Sequence, residues 1–402
     1  MSDPLTRLFA QFDHGGISRR QLLQALGIAA VGVPLSKPFE AFAQGRCGDA
    51  NAGTPACDTM PAKAPFAVTG WRTVMLDRFT LQVADYQKET AYYAALMNWK
   101  IRSDDGKQAV LDIGDIGSVV IRGGYVAPPA PAGGGGGGGG GRGGGGAGAP
   151  PLPPGCTSLM RPARSAAWDS ITYGIEPWDT KKVESELKKR GLNPEPVHEG
   201  RDFQSFRVTA PDGMIVAVSN GNKKNRRTTP ATGKTGASAP FESTNWQTMY
   251  LDHISYQSPN YKESFAFYNA LLGWTGQGDE GSQNTCYMGD AGEIIIRGGG
   301  PPRVPRPDTP AAGRAAAAAA NPPAATPRPA PRRTASIDHI SFGIAGFDPD
   351  SVKAELDKRC LTSSADTGSR EDIHTAPYKS YHTTTTNGFN LQISNKVART
   401  TR

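Results

Sequence analysis

Histidine is the residue to look for first, because its imidazole binds divalent metals and exchanges protons near neutral pH. The chain has only 6 histidines in 402 residues, and four of them, His253, His339, His374 and His382, fall in its second half. His253 and His339 stand in matching strings, LDHISY and IDHISFGI, whose apolar residues alternate as in a strand. One strand histidine is ordinarily a satisfied core or surface residue. Four in one unit point to a metal site or to acid–base chemistry. Tyr378 and Tyr381 precede His382, and Gln392 follows it across the Asn387-Gly388 turn. Alternation puts Tyr378 and His382 on one face and Tyr381 on the other. The 5 cysteines have no zinc-ligand spacing. Cys47 and Cys57 are close enough in sequence to pair in an oxidising compartment, whereas Cys156, Cys286 and Cys360 read as scattered packing residues.

The elements that must position these residues come from a repeat. Displaced by 175, the sequence matches itself: Trp71, Leu76, Asp77, Tyr86, Tyr93, Leu96, Trp99 and Arg122 fall on Trp246, Leu251, Asp252, Tyr261, Tyr268, Leu271, Trp274 and Arg297. The same offset carries Gly213, Ser219 and Asn220 to Gly388, Ser394 and Asn395, so a whole unit is duplicated. Each unit divides again. In the first, MLDRFTL is a strand, YQKETAYYAALMNW an amphipathic helix, and IRSDD, AVLDI and SVVIRG three short strands. WDSITYGI, TKKVESELKKRG and QSFRVTAPDGMIVAVSN then read as strand, helix and hairpin. The expected fold is α+β, four βαβββ modules in two pairs.

The divisions expected are a signal peptide over 1–43, an N-terminal segment over 44–70, a first domain over 71–222, a basic linker over 223–245 and a second domain over 246–397. Flexible linkers rich in Gly, Pro and Ala interrupt both domains, at 126–165 with a nine-glycine run and at 300–335. The glycine run lacks the Lys and Ser/Thr of a phosphate-binding loop. The net charge of +7 comes from these tethers and the tail over 396–402, which together carry 17 Lys and Arg against Asp308 and Glu242. The folded segments are left net acidic, which argues against nucleic acid as a partner. At the N-terminus Ser18-Arg19-Arg20-Gln21-Leu22-Leu23 opens an uncharged apolar run to Leu35, followed by Ala41-Phe42-Ala43. That resembles a twin-arginine signal cleaved before Gln44, so the twin-arginine translocation machinery is an expected partner and the periplasm the expected location. The run is shorter than the roughly 20 residues of a membrane span, and no stable span is expected in the mature chain.

Four βαβββ modules, with FYNALLGW (267–274) closing a helix and APDG (210–213) before a final strand, resemble the vicinal oxygen chelate superfamily. That superfamily includes glyoxalase I, extradiol dioxygenases and bleomycin-resistance proteins. The resemblance covers 71–220 and 246–395. It implies two glyoxalase-like domains, each a cupped sheet with metal ligands on the first and last strands of its modules. Carried onto this sequence, the ligand positions are His253, His339 and Gln392, with Ile296 at the fourth. Gln392 stands where the family usually has Glu. The corresponding residues of the first domain, Arg78, Ser170, Ile121 and Ala217, cannot ligate a metal, so its cup is expected to be structural or substrate-gating.

The resemblance therefore implies a divalent metal (Fe, Mn, Zn or Ni) in the second domain, chelated by a small substrate with two adjacent oxygens. His374 and His382 are then the acid/base candidates and Tyr378 a donor to a bound oxyanion, in a lyase, isomerase or dioxygenase. The alternative is a metal-free binding protein of the bleomycin-resistance kind. A third reading is an envelope protein whose tethers bind acidic surfaces. The long tethers also allow modules to be exchanged between two chains, as a homodimer.

Overall fold

Each helix begins where a short acid or amide can cap it. A computed structural model of the chain describes residues 62–126, 152–198, 202–222, 233–280, 282–298 and 335–399. The arginine pair, Cys47, Cys57, the glycine run and residues 301–334 lie outside them. The first module is β1 (Arg72–Val83), α1 (Tyr86–Leu96), β2 (Lys100–Asp104), β3 (Gln108–Ile113) and β4 (Gly117–Arg122). The second is β5 (Ala166–Glu176), α2 (Thr180–Lys189), β6 (Glu195–Pro196), β7 (Ser205–Thr209) and β8 (Ile215–Ser219). The third is β9 (Thr248–Ser258), α3 (Tyr261–Leu272), β10 (Thr275–Asp279), β11 (Gln283–Tyr287) and β12 (Glu293–Gly298). The fourth is β13 (Ser336–Ile344), α4 (Pro349–Lys358), β14 (Ser364–Asp366), β15 (Ser380–Thr384) and β16 (Asn390–Ser394). Asp85, Asp179, Asn260 and Asp348 each accept from the backbone N–H three residues on, and so start α1 to α4.

The fold is α+β, with four βαβββ modules paired in two eight-stranded sheets, the arrangement expected of a vicinal oxygen chelate protein. The orders are β2-β3-β4-β1-β5-β8-β7-β6 and β10-β11-β12-β9-β13-β16-β15-β14. In each sheet the first strands of consecutive modules pair antiparallel at the centre, and each is flanked by the parallel last strand of its own module. Both cups are thus made of modules adjacent in the chain.

Bulges shape the centre of each sheet. In the β9–β13 ladder Ser341 pairs with His253 and Phe342 with Leu251, leaving Asp252 as an extra residue. Ile337 pairs with Tyr256 and His339 with Ser255, leaving Asp338 extra on the other strand. The first sheet repeats the pattern, with Asp77 and Asp169 as the extra residues. A bulge bends its strand and frees one residue from strict alternation. That is why an aspartate can lie beside each cup-facing residue that follows it.

The two units share one core, joined by reciprocal contacts. Trp99 Nε1 donates to Thr248 Oγ1 at 2.9 Å, and Trp274 Nε1 donates to Thr73 Oγ1 at 3.1 Å. Thr244 Oγ1 donates to the Leu96 carbonyl at 2.5 Å, and Thr69 Oγ1 to that of Leu271 at 2.8 Å. Two sequence readings change here. Cys156 and Cys360 are not incidental packing residues but a disulfide spanning 204 residues of sequence. Residues 152–165, read as part of a flexible linker, pack against the second unit: Met160 N–H donates to the Cys360 carbonyl at 2.8 Å, and Ser165 N–H to that of Asn387 at 2.8 Å. Their low apolar content did not reveal docking through backbone groups and one cysteine.

Candidate functional site

The concave face of the second sheet brings together residues from β9, β13, β15 and β16. His253 and His339 are both buried, and their Nε2 atoms are 3.1 Å apart. His382 stands edge-on to His339, ring centroids 4.8 Å apart. Each imidazole has a carboxylate beside it. Asp252 Oδ1 is 3.4 Å from His253 Nδ1, Asp338 Oδ2 is 2.7 Å from His339 Nδ1, and Asp366 Oδ2 is 3.2 Å from His382 Nε2.

These contacts decide where protons can be. Burial drives the His339 pKa down to about 4, so its ring is neutral at neutral pH. The hydrogen bond from His339 outweighs burial and lowers the pKa of Asp338. Asp338 is therefore an acceptor, His339 carries its proton on Nδ1, and a lone pair on Nε2 faces His253. Burial pushes Asp252 upward, but hydrogen bonds from His253, Ser394 and Tyr378 outweigh it and hold its pKa well below the usual carboxylate range. His253 then faces two acceptors, Asp252 and the His339 lone pair. A cation held by both Nε2 atoms would satisfy the facing lone pairs.

Gln392 is completely buried on the same face. Its Nε2 donates to Ser380 Oγ at 2.6 Å and to Tyr378 OH at 3.1 Å, while its Oε1 has no hydrogen-bond partner. Tyr378 OH in turn donates to Asp252 Oδ2 at 2.8 Å. Burial and then Asp252 raise the Tyr378 pKa, so the phenol stays protonated. His382 has both nitrogens engaged, Nδ1 lying 3.0 Å from Asn390 Oδ1. Its hydrogen bond to Asp366 brings that carboxyl down to about 2.

Two expected positions are displaced. His374 is not in the cup: its side chain is 54% exposed and its Nε2 is 3.8 Å from Asp350 on α4. It lies in the loop before β15, where no alternation constrains direction. Ile296 faces the core, not the cup, because the parallel register sets it beside Tyr256. The cup-facing residues of β12 are Glu293, Ile295 and Arg297. Glu293 is buried, and its Oε1 pairs with Lys396 Nζ at 2.5 Å. Ile121 is likewise a core residue of the first sheet.

Asp252, Asp338, Asp366 and Glu293 escaped sequence reasoning. A signal for the first two exists, since Asp77, Asp169, Asp252 and Asp338 each precede the key first-strand residue of a module. Strict alternation hid it by turning them away from the cup.

No protein-family model matches the sequence, and no curated protein matches it in sequence. Solved structures with a similar chain path include the Mn(II)-bound glyoxalase from Novosphingobium aromaticivorans, 14% identical, with a TM-score of 0.48 over 81% of this chain and 82% of that one. An extradiol ring-cleaving dioxygenase from Brevibacterium fuscum is 13% identical, with a TM-score of 0.47 over 84% of this chain and 74% of that one. The 2,3-dioxygenase LapB from Pseudomonas sp. KL28 is 11% identical, with a TM-score of 0.45 over 80% and 92%. These are distant likenesses of fold.

The donor set of the second cup can be judged on its own chemistry. Two adjacent ligands of an octahedral first-row ion, each about 2.1 Å from it, lie roughly 3.0 Å apart. The His253–His339 separation of 3.1 Å fits that, and each Nδ1 has the acidic partner that usually orients a metal-bound histidine. Among the described residues no three His, Cys, Asp or Glu side chains converge as a complete cage. Gln392 Oε1 is the buried acceptor available on the neighbouring strand.

Proposed function

We propose that the chain is an exported, divalent-metal-dependent enzyme that binds a small oxygen-rich substrate in its second cup. The observation that carries this reading is the facing pair of Nε2 atoms, 3.1 Å apart, each ring backed by an aspartate. His253 and His339 would hold the ion, with Gln392 Oε1 as a third donor. Such an ion supplies Lewis acidity to adjacent substrate oxygens, in keeping with a glyoxalase-like lyase or isomerase or with a dioxygenase.

The chain's own residues do the rest. Asp252 and Asp338 fix the histidine tautomers and ring orientations. Tyr378, held protonated between Gln392 and Asp252, can donate to a developing oxyanion only by leaving Asp252. His382 is the acid/base group, with Asp366 and Asn390 beside its two nitrogens, and it acts when one ring nitrogen leaves Asn390 or Asp366. His374 has no part in this. Its place 3.8 Å from Asp350 on the surface removes it from the reacting groups.

The disulfide between Cys156 and Cys360 supports the exported reading, because such bonds persist in oxidising compartments. No described helix is long and apolar enough to cross a membrane. A metal-free binding protein is the second reading, and the uncharged Gln392 at the last-strand position favours it. Metal content decides between the two. Protein purified without chelator, and again after loading with Mn, Fe, Zn or Ni, should carry about one ion per chain. His253→Ala and His339→Ala should each lose it. A wild type that stays metal-free after loading selects the binding protein.

A further inference from the structure

The first sheet has the same architecture, but its concave face carries arginines where the second carries histidines. We propose that this first cup is a binding site for a small organic carboxylate. The cup encloses a cavity of about 300 Å³, within the size range of small-molecule sites. Arg78 on β1, Arg102 on β2, Arg122 on β4 and Arg207 on β7 line it. At the 175-residue offset these become His253, Gln277, Arg297 and His382. Two of the three clustered imidazoles of the second cup are thus guanidiniums in the first. Ala217 stands at the Gln392 position and opens space.

Each guanidinium has a carboxylate beside it, and two of them, Arg102 and Arg122, keep a nitrogen with no hydrogen-bond partner. Arg102 gives Nε and Nη2 to Asp112 Oδ1, at 2.9 and 2.5 Å, and its side chain is only 10% exposed. Its Nη1 is buried without a hydrogen-bond partner. Arg122 Nη1 is 3.9 Å from Asp169, and its buried Nε also has no partner. Arg207 gives Nε and Nη2 to Glu195 Oε2, at 3.1 and 2.9 Å. Arg78 lies 3.3 Å from Asp77 and 5.0 Å from the Phe203 ring centroid. A buried guanidinium nitrogen that donates to nothing is costly, so Arg102 and Arg122 each gain by turning that nitrogen toward an acceptor entering the cavity.

The ligand's charge and shape follow from the same contacts. The four carboxylates already balance the four arginines, so a strong field for a dianion is absent. A monoanion with planar, forked acceptors fits guanidinium donors best, which is a carboxylate. Phe203, Val110 and Val120 give the cavity an apolar side for an organic body. Inorganic phosphate is a poorer match on both counts.

Benzoate is the probe, with benzamide as its neutral isostere and inorganic phosphate as the purely ionic control. Binding is read by saturation-transfer NMR and calorimetry on the full chain, treated with chelator so that the second cup's metal has no part. Benzoate should bind more tightly than either control. Arg102→Gln and Arg122→Gln should each weaken it at least about tenfold, the loss of one charged hydrogen bond. His253→Ala should leave it unchanged. Arg122 is 42% exposed on its side chain, so its variant decides if the Arg102 variant fails to fold. Benzamide binding as well as benzoate, equal affinity in Arg122→Gln, or loss in His253→Ala would each overturn the assignment. Because no metal is present, failure here leaves the second-cup proposal standing.

Discussion

At the scale of single residues, the proposed site rests on where the His339 proton is allowed to be. The His339 proton is on Nδ1 because Asp338 accepts it at 2.7 Å, and this exposes the Nε2 lone pair to His253. Replacing Asp338 by Asn keeps the volume but removes the charge that favours this tautomer. Asp338→Asn should lower divalent-metal affinity by about 10–100-fold, the usual cost of losing such a partner. A competition titration with a chromogenic chelator measures it. Unchanged affinity would mean that Asp338 does not orient the ligand. The histidines themselves were legible in the sequence, being rare and placed in matching strings. Their aspartates were not, because a bulge cannot be seen in an alternating pattern. His374 misled for the opposite reason: proximity in sequence to His382 said nothing about direction in a loop.

At the scale of elements, the first strand of the second and of the fourth module runs very close to the segment that follows its last strand. Gly174 and Gly343 occupy that place in the second and fourth modules. A Cβ at Gly343 would lie 1.6 Å from the Lys396 carbonyl oxygen, and one at Gly174 would lie 1.9 Å from that of Gly221. Gly343→Ala should therefore destabilise the chain by about 2–4 kcal/mol in denaturant unfolding. Gly346→Ala is the control. Its φ of +63° strains any side chain, yet a Cβ there meets nothing within 4 Å, so a loss of only about 1 kcal/mol is expected. Equal losses would show that the chain relieves the close approach at Gly343 by local movement. The modules were the most legible feature of the sequence, since the strand and helix periods recur four times and the 175-residue offset holds throughout. The disulfide was not, because its cysteines are 204 residues apart and only the docking of residues 152–165 brings them together.

At the scale of the whole molecule, the units are held together by a pseudo-symmetric seam with one asymmetry in its charges. Glu89 on α1 is fully buried. Its Oε2 accepts from Thr386 Oγ1 at 2.7 Å, from Asn387 N–H at 3.0 Å and from Asn387 Nδ2 at 2.9 Å. At the equivalent seam the acid is on the turn: Asp212 Oδ2 accepts from Ser264 Oγ and Tyr256 OH, both at 2.5 Å. Burial raises the Glu89 pKa despite its hydrogen bonds from Thr385, Asn387 and Thr386. In the window between the unfolded value near 4.5 and the higher folded value, the folded chain binds the extra proton. Stability from this group is therefore present at low pH and lost as pH rises. Glu89→Gln should be more stable than wild type at pH 7, and the gap should close toward pH 4.5. Thermal unfolding at several pH values tests this, and a constant gap would mean that Glu89 is not the titrating group.

The central claim is that His253 and His339 share one cation, and pulsed EPR on the chain loaded with one equivalent of Cu(II) tests it most directly. Modulation from the remote imidazole nitrogens counts how many rings coordinate. Two equivalent imidazoles are expected in the wild type, and one in either His253→Ala or His339→Ala. A wild-type signal with no imidazole modulation, or one that survives intact in both variants, would place the metal elsewhere and contradict the claim.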